Sequence, residues 1–257
     1  MTALKIENLS KSFGGIQAVL NYNLELPDNT ITGLIGPNGA GKTSIFNLIS
    51  GIYRPDSGQV FLNDKEITHK ALSMISRSGI ARTFQNIRLF NQMTVLDNIK
   101  TAFHRRAGYH FGETILGLSK FYLSEKKIDR ESMEYLNYFG LTGYKSEFAK
   151  NLCYGDQRRL EIARALASEP KVLLLDEPAA GMNQVEVEEL IKLIRKVQKD
   201  FGLSILLIEH QMPVVIELCR SIQVLNFGRL IASGNPSEVI SNPEVIQAYL
   251  GEMEPVI

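Results

Sequence analysis

The chain has 257 residues, 44% of them apolar, which is enough for one large domain or a domain carrying an inserted lobe. Its 28 basic and 28 acidic side chains balance, which argues against a protein that tracks nucleic acid or an anionic membrane through its net charge. Cys153 and Cys219 have no metal-site spacing and point to a reducing compartment rather than a disulfide-stapled secreted fold. No run approaches the ~20 apolar residues that span a bilayer, and Met1 to Glu7 lacks the apolar stretch of a signal peptide. The expectation is a cytosolic chain that reaches a membrane only through partners.

The first third reads mostly as strands, over residues 4–8, 17–24, 31–35 and 59–62, the last following the turn Pro55-Asp56-Ser57-Gly58. Between the third strand and a helix beginning near Thr43 lies Gly36-Pro37-Asn38-Gly39-Ala40-Gly41-Lys42-Thr43, followed by Ser44. Glycines at 36, 39 and 41 let backbone N–H groups turn inward around phosphate oxygens. Lys42 reaches the β- and γ-phosphates, and the Thr43 hydroxyl is placed to ligate Mg²⁺. The strand before and the helix after put the phosphates at a helix N-terminus, so the site is built for ATP or GTP.

Helical periodicity with charged clusters follows, over residues 94–106 and 125–139, with the most loop-like connection at 105–112. Strands return at 171–176 and 204–208. The interval between Lys42 and Asp176 exceeds what a strand-helix-strand repeat needs, so a helical insertion in an α/β core is expected. The second strand region ends in Asp176-Glu177. Asp176 reads as a metal carboxylate, and Glu177, one residue beyond the strand, as the base that orients a water in line with the γ-phosphate.

These motifs occur in the order found in the nucleotide-binding subunits of ABC transporters, which the chain resembles over essentially its whole length. The resemblance implies an α/β P-loop NTPase with a RecA-like core, an antiparallel β subdomain and an inserted α-helical subdomain. It implies one ABC ATPase domain over 1–257, with the core at about 1–88 and 158–257 and the helical subdomain at about 89–157. Alone, Phe13 reads as a core aromatic and His210 as a polar residue ending a strand. By the resemblance, Phe13 stacks on adenine, Gln85 senses Mg²⁺ and the transport partner, and His210 contacts the γ-phosphate.

Leu152-Cys153-Tyr154-Gly155-Asp156-Gln157 aligns with the family signature L-S-G-G-Q and departs from it at Cys153, Tyr154 and Asp156. The Cys153 thiol is a weaker donor than the serine it replaces, whereas Gly155 and the helix N-terminus still offer N–H groups to the opposing subunit's phosphate. Asn183 stands where an aspartate commonly helps join the subunits. The stretches 81–90 with Met93-Thr94-Val95, 154–164 and 179–183 are similar to the longer ATPase subunit of branched-chain amino acid importers.

That resemblance implies Mg-ATP hydrolysis driving import of branched-chain or related apolar amino acids, with urea or amide import and export as alternatives. A soluble non-transport ATPase is disfavoured because the chain has one ATPase unit and no heptad run. Implied partners are two membrane permease subunits, a second ATPase subunit in a head-to-tail dimer and, through the complex, an extracytoplasmic substrate-binding protein, with no nucleic acid. The implied location is the cytoplasmic face of the cell membrane, peripheral. Helical residues 89–151 are expected to receive a permease coupling helix, although the apolar runs at 116–123 and 133–141 read equally as that lobe's own core.

Overall fold

The structure is a computed structural model, and it describes residues 1–104 and 119–250. The chain divides into two compact units, one formed by Met1–Arg82 with Pro170–Ile257 and the other by Thr83–Glu169.

The first unit is built on two sheets. β1 (Thr2–Phe13) and β2 (Ile16–Pro27) form an antiparallel hairpin turning at Gly14 and Gly15. Together with β4 (Ser57–Leu62) and β5 (Lys65–Glu66) they give a four-stranded antiparallel sheet in the order β2-β1-β4-β5. The second sheet contains β3 (Ile31–Ile35), β6 (Ile80–Arg82), β7 (Val172–Asp176), β8 (Ser204–Ile208), β9 (Ser221–Asn226) and β10 (Arg229–Gly234). Its order is β10-β9-β3-β8-β7-β6, parallel throughout except for β10 against β9. Every residue of β3, β7 and β8 is buried, as expected for central parallel strands covered on both faces.

Among the described residues the helices of this unit are α1 (Lys42–Ile49) and α2 (Leu72–Ser78), and, later in the chain, four more. The largest of those four, Gln184–Phe201, buries Val187, Leu190, Ile194 and Val197, the spacing of one helix face. It starts with a capping box in which the Asn183 side chain accepts from Glu186 N at 3.1 Å and the Glu186 carboxylate accepts from Asn183 N at 2.9 Å.

The second unit is helical. α3 (Val95–His104), α4 (Ser119–Tyr138) and α5 (Tyr154–Leu166) pack together around Ile99, Phe103, Leu136 and Leu160. Counting onward, Gln184–Phe201 is α6, Met212–Leu218 α7, Pro236–Ile240 α8 and Pro243–Leu250 α9. Asn98 is fully buried and bonds both backbone groups of Phe90, fixing the loop ahead of α3.

The strands expected at 31–35 and 204–208 match β3 and β8 at both ends. β1 and β2 run several residues further than expected, and β9 and β10 were not expected at all. The joints between units fall at 82/83 and 169/170, where the sequence reading put them at about 88 and 157. The helix after the signature loop therefore belongs to the helical unit. The loop expected at 105–112 lies outside the described residues, as does much of the apolar run at 116–123.

Candidate nucleotide site

β3, β7 and β8 place the candidate groups. The register pairs Leu34 with Ile208 and Asp176 with Ile208, so the carboxyl ends of the three strands lie side by side. That edge is where ligands sit in parallel α/β sheets.

The loop leaving β3 is held by close backbone approach. Gly36 has φ 144°, and a Cβ there would lie 2.2 Å from the Leu225 carbonyl oxygen. Gly41, the N-cap of α1, has φ 106°, and a Cβ there would lie 2.3 Å from the Ala18 carbonyl oxygen. Only glycine fits either position. The α1 N-terminus has no side-chain cap and no acidic residue in its first turn. Lys42 is buried, and its ammonium donates to the carbonyls of Gly36 at 2.6 Å and Pro37 at 2.7 Å. Those oxygens hold the cation inside the loop, where phosphate oxygens would exchange with them. Asn38, Gly39 and Thr43 are exposed, Ala40 is buried and Ser44 half-buried.

Asp176 ends β7 and is nearly buried. Arg82, at the end of β6, pairs with its Oδ2 at 2.8 Å and also donates to Asn47 Oδ1 at 2.7 Å. No sequence motif singles out Arg82; it sits three strands along from the phosphate loop, and the β6-β7 register brings it to Asp176.

Glu177 adopts φ 46°, rare for a non-glycine residue and of a kind concentrated at functional sites, and its N–H donates to the Ile208 carbonyl at 2.9 Å. His210 Nδ1 lies 3.6 Å from Glu177 Oε2, so the two residues read separately from the sequence meet at one point. Beside them Glu209 is wholly buried and accepts backbone N–H groups from Ala179 at 2.9 Å, His210 at 3.0 Å and Gln211 at 3.3 Å. Desolvation pushes its carboxyl above the ordinary value, only partly offset by those amides. Among the described residues no three His, Cys, Asp or Glu side chains cluster as a metal site.

Two family patterns match the chain: ABC transporter over residues 19–180, and branched-chain amino acid ATP-binding cassette transporter over residues 229–255. The chain belongs to the ABC transporter family. It is 42% identical over 249 residues to the high-affinity branched-chain amino acid transport ATP-binding protein LivG of Escherichia coli strain K12, covering 97% of this chain and 98% of LivG. It is 41% identical over the same shares to BraF of Pseudomonas aeruginosa, another high-affinity branched-chain amino acid transport ATP-binding protein. A crystal structure of a nucleotide-free ATP-binding cassette from an ABC transporter superposes with a TM-score of 0.84 at 28% identity, covering 97% of this chain and 99% of that one. The chain is thus an ATP-binding cassette ATPase with the expected α/β fold of antiparallel and parallel sheets.

The remaining expected cassette residues are distributed as follows. Phe13 ends β1, is 40% exposed, and packs edge-on to Tyr53 with ring centroids 5.0 Å apart, with the Lys11 ammonium 5.4 Å above its ring. Gln85 and the signature residues Cys153 and Gly155 belong to the helical unit. Cys153 is the N-cap of α5 and donates its thiol to Asp156 Oδ2 at 3.3 Å, while Gly155 lies in the first turn, where N–H groups have no partner within the helix.

The cassette's signature helix is tied to the Gln85 segment through a buried ion pair that the sequence reading missed. Arg158 and Glu161 pair at 2.7 Å, and their side chains are 0% and 2% exposed. Arg158 donates to the carbonyls of Phe84 at 2.8 Å and Gln85 at 2.9 Å, while Glu161 accepts from Arg88 N at 3.1 Å. This explains why α5 packs with the helical unit. An Arg and a Glu three residues apart on a helix read as a solvated surface pair, and nothing local marks them as buried.

Proposed function

We propose that the chain binds Mg-ATP and hydrolyses it to energise an importer for branched-chain or related apolar amino acids. The observation that carries the cargo is the near-full-length similarity to LivG and BraF together with the C-terminal match at residues 229–255. The roles that support it are these. Gly36 to Ser44 wrap the phosphates, with backbone N–H groups from the loop and the α1 N-terminus and with the Lys42 ammonium. Phe13, an exposed ring at a strand end, stacks on adenine. Cys153 and Gly155 face the γ-phosphate held by a second ATPase subunit.

A divalent cation fits the donor set, because a hard ion needs oxygen ligands, and Thr43 and Asp176 supply them without a dedicated protein cage. Bound there, Mg²⁺ would neutralise charge on the β- and γ-phosphate oxygens, with Gln85 as the residue that reports its presence. Arg82 bonds Oδ2 of Asp176 at 2.8 Å and so fixes the carboxylate at the end of β7. Glu177 orients the attacking water and accepts its proton, and His210 donates to the γ-phosphate from beside it.

The division into two compact units supports reading the first as a catalytic core with its antiparallel β subdomain and the second as the helical subdomain of one ABC domain. No helix among the described residues is long and apolar enough to cross a membrane, which supports a peripheral subunit reaching the cytoplasmic face through permeases. Phe90, Met93, Tyr144 and Phe148 stay exposed in the helical unit, where Met93 accepts from Ala149 N at 3.0 Å, and they support the docking of a permease helix. The test is to tag Glu177→Gln, solubilise membranes with Mg-ATP and identify what co-purifies. Two permeases and a second ATPase are expected; recovery only from the soluble fraction would refute the transporter assignment.

A further inference from the structure

We propose that Glu209 is a positioning residue for ATP hydrolysis: its buried carboxylate ties the segment following Glu177 to the segment carrying His210 and sets the geometry between them. The proposal rests on Glu177 and His210 acting on the γ-phosphate.

The two carboxylate oxygens serve two different segments. Among the described residues, Oε1 accepts from the β7 side, at Ala179 N, 2.9 Å away. Oε2 accepts from the β8 side, at His210 N and Gln211 N, 3.0 and 3.3 Å away. A second tie runs the other way, from Gln211 Nε2 to the Ala179 carbonyl at 3.1 Å. The groups so joined flank the contact between His210 Nδ1 and Glu177 Oε2 at 3.6 Å, with Glu209 Oε2 itself 4.0 Å from the same nitrogen. The ends of β7 and β8 are already in register through Asp176 and Ile208. Glu209 extends that register past the sheet, where no ladder holds the chain.

A charged group buried completely opposes folding unless its bonds compensate, and here burial still outweighs three amide donors in setting the carboxyl's proton affinity. A fold needing only to fill this space would do better with an apolar side chain. What a carboxylate offers is two acceptor oxygens facing opposite ways. Glutamine has the same size but one acceptor; its NH₂ would confront an N–H donor on whichever side it faced. Glu209→Gln therefore severs the bridge while leaving the packing intact.

The test uses the full chain in its assembled complex and compares Glu209→Gln with wild type. The expected result is a kcat lower by roughly tenfold or more, an ATP KM within about twofold, and a thermal midpoint lowered by at most about 5 °C, the cost of the lost amide bonds set against removal of a buried charge. Amide exchange in the isolated full chain is expected to quicken at residues 179 and 210–211 and stay unchanged in β7 and β8. A wild-type kcat, or a loss of kcat accompanied by a midpoint lowered further than that and faster exchange throughout the unit, would overturn the proposal. Glu177→Gln is the control. If it too hydrolyses ATP at the wild-type rate, the reading of the site fails and this proposal with it; if it is inactive while Glu209→Gln is fully active, only the Glu209 role fails.

Discussion

Two helix N-termini to which the proposed function assigns the same kind of ligand are built in opposite ways. α1 begins with a glycine cap, a buried lysine and no acidic side chain in its first turn. α5 begins with Cys153, whose thiol donates to Asp156 in the first turn, and Arg159 stands 3.5 Å from the same carboxylate. The first has no acidic side chain in its first turn against its positive end, which suits it to hold phosphate by itself in the proposed site. The second already has a carboxylate in its first turn, so an anion bound there would be held more weakly. The difference fits a division of labour in which one end retains the nucleotide throughout and the other closes on it only for part of the cycle.

Removing the first end's charge should have the largest effect. Lys42→Ala is expected to lower ATPase turnover by about 10²- to 10³-fold and to weaken ATP binding, measured by steady-state hydrolysis and nucleotide titration. Turnover within a factor of two of wild type would show that the loop does not hold the phosphates.

The second end depends on its anchor more than on its charge. Arg158→Ala leaves Glu161 buried without its partner and is expected to destabilise the chain by ~3–5 kcal/mol in denaturant unfolding, with most of the loss recovered in the apolar pair Arg158→Met with Glu161→Leu. No recovery would mean that the hydrogen bonds to Phe84, Gln85 and Arg88, rather than the lone charge, dominate.

A smaller change sharpens the contrast. Asp156→Ser removes the opposing carboxylate and should tighten ATP-dependent association of the ATPase subunits by ~0.3–1 kcal/mol, read from sedimentation at graded ATP. Weaker association would show that Asp156 supports the contact.

The smallest effect is one of pH. Burial raises the Glu209 carboxyl, so the folded chain keeps that proton to higher pH than the unfolded chain does. Its contribution to stability therefore falls as pH rises from the ordinary carboxylate range through the raised folded value. Unfolding free energies measured across that window should decline less in Glu209→Gln than in wild type.

Much of the site could be read from the sequence because its chemistry is local. The phosphate loop announces itself through glycines whose missing side chains are demanded by Leu225 and Ala18, and the loop's flanking strand and helix are short uninterrupted apolar patterns. Asp176 and Glu177 close a run of aliphatic residues, which marks a buried strand ending at a functional edge.

What could not be read depends on contacts between distant segments. Arg82 reaches Asp176 only through strand pairing, and Glu209 joins two loops thirty residues apart. Arg158 looks like any charged helix residue until the carbonyls of Phe84 and Gln85 come to meet it. β1 extends past its expected end because Ser10, Lys11 and the irregular register there interrupt the alternation that identifies strands. The cap formed by Asn183 and Glu186 adds a structural duty to a residue expected to join subunits, so Asn183→Ala would disturb α6 as well.

The most direct test is uptake by the assembled transporter in proteoliposomes with Mg-ATP on the side of this chain and leucine with its binding protein on the other. Wild type should accumulate leucine in step with ATP hydrolysis, and Glu177→Gln should bind ATP but abolish both. Uptake that persists in Glu177→Gln, or hydrolysis that proceeds with no response to leucine and its binding protein, would contradict the account.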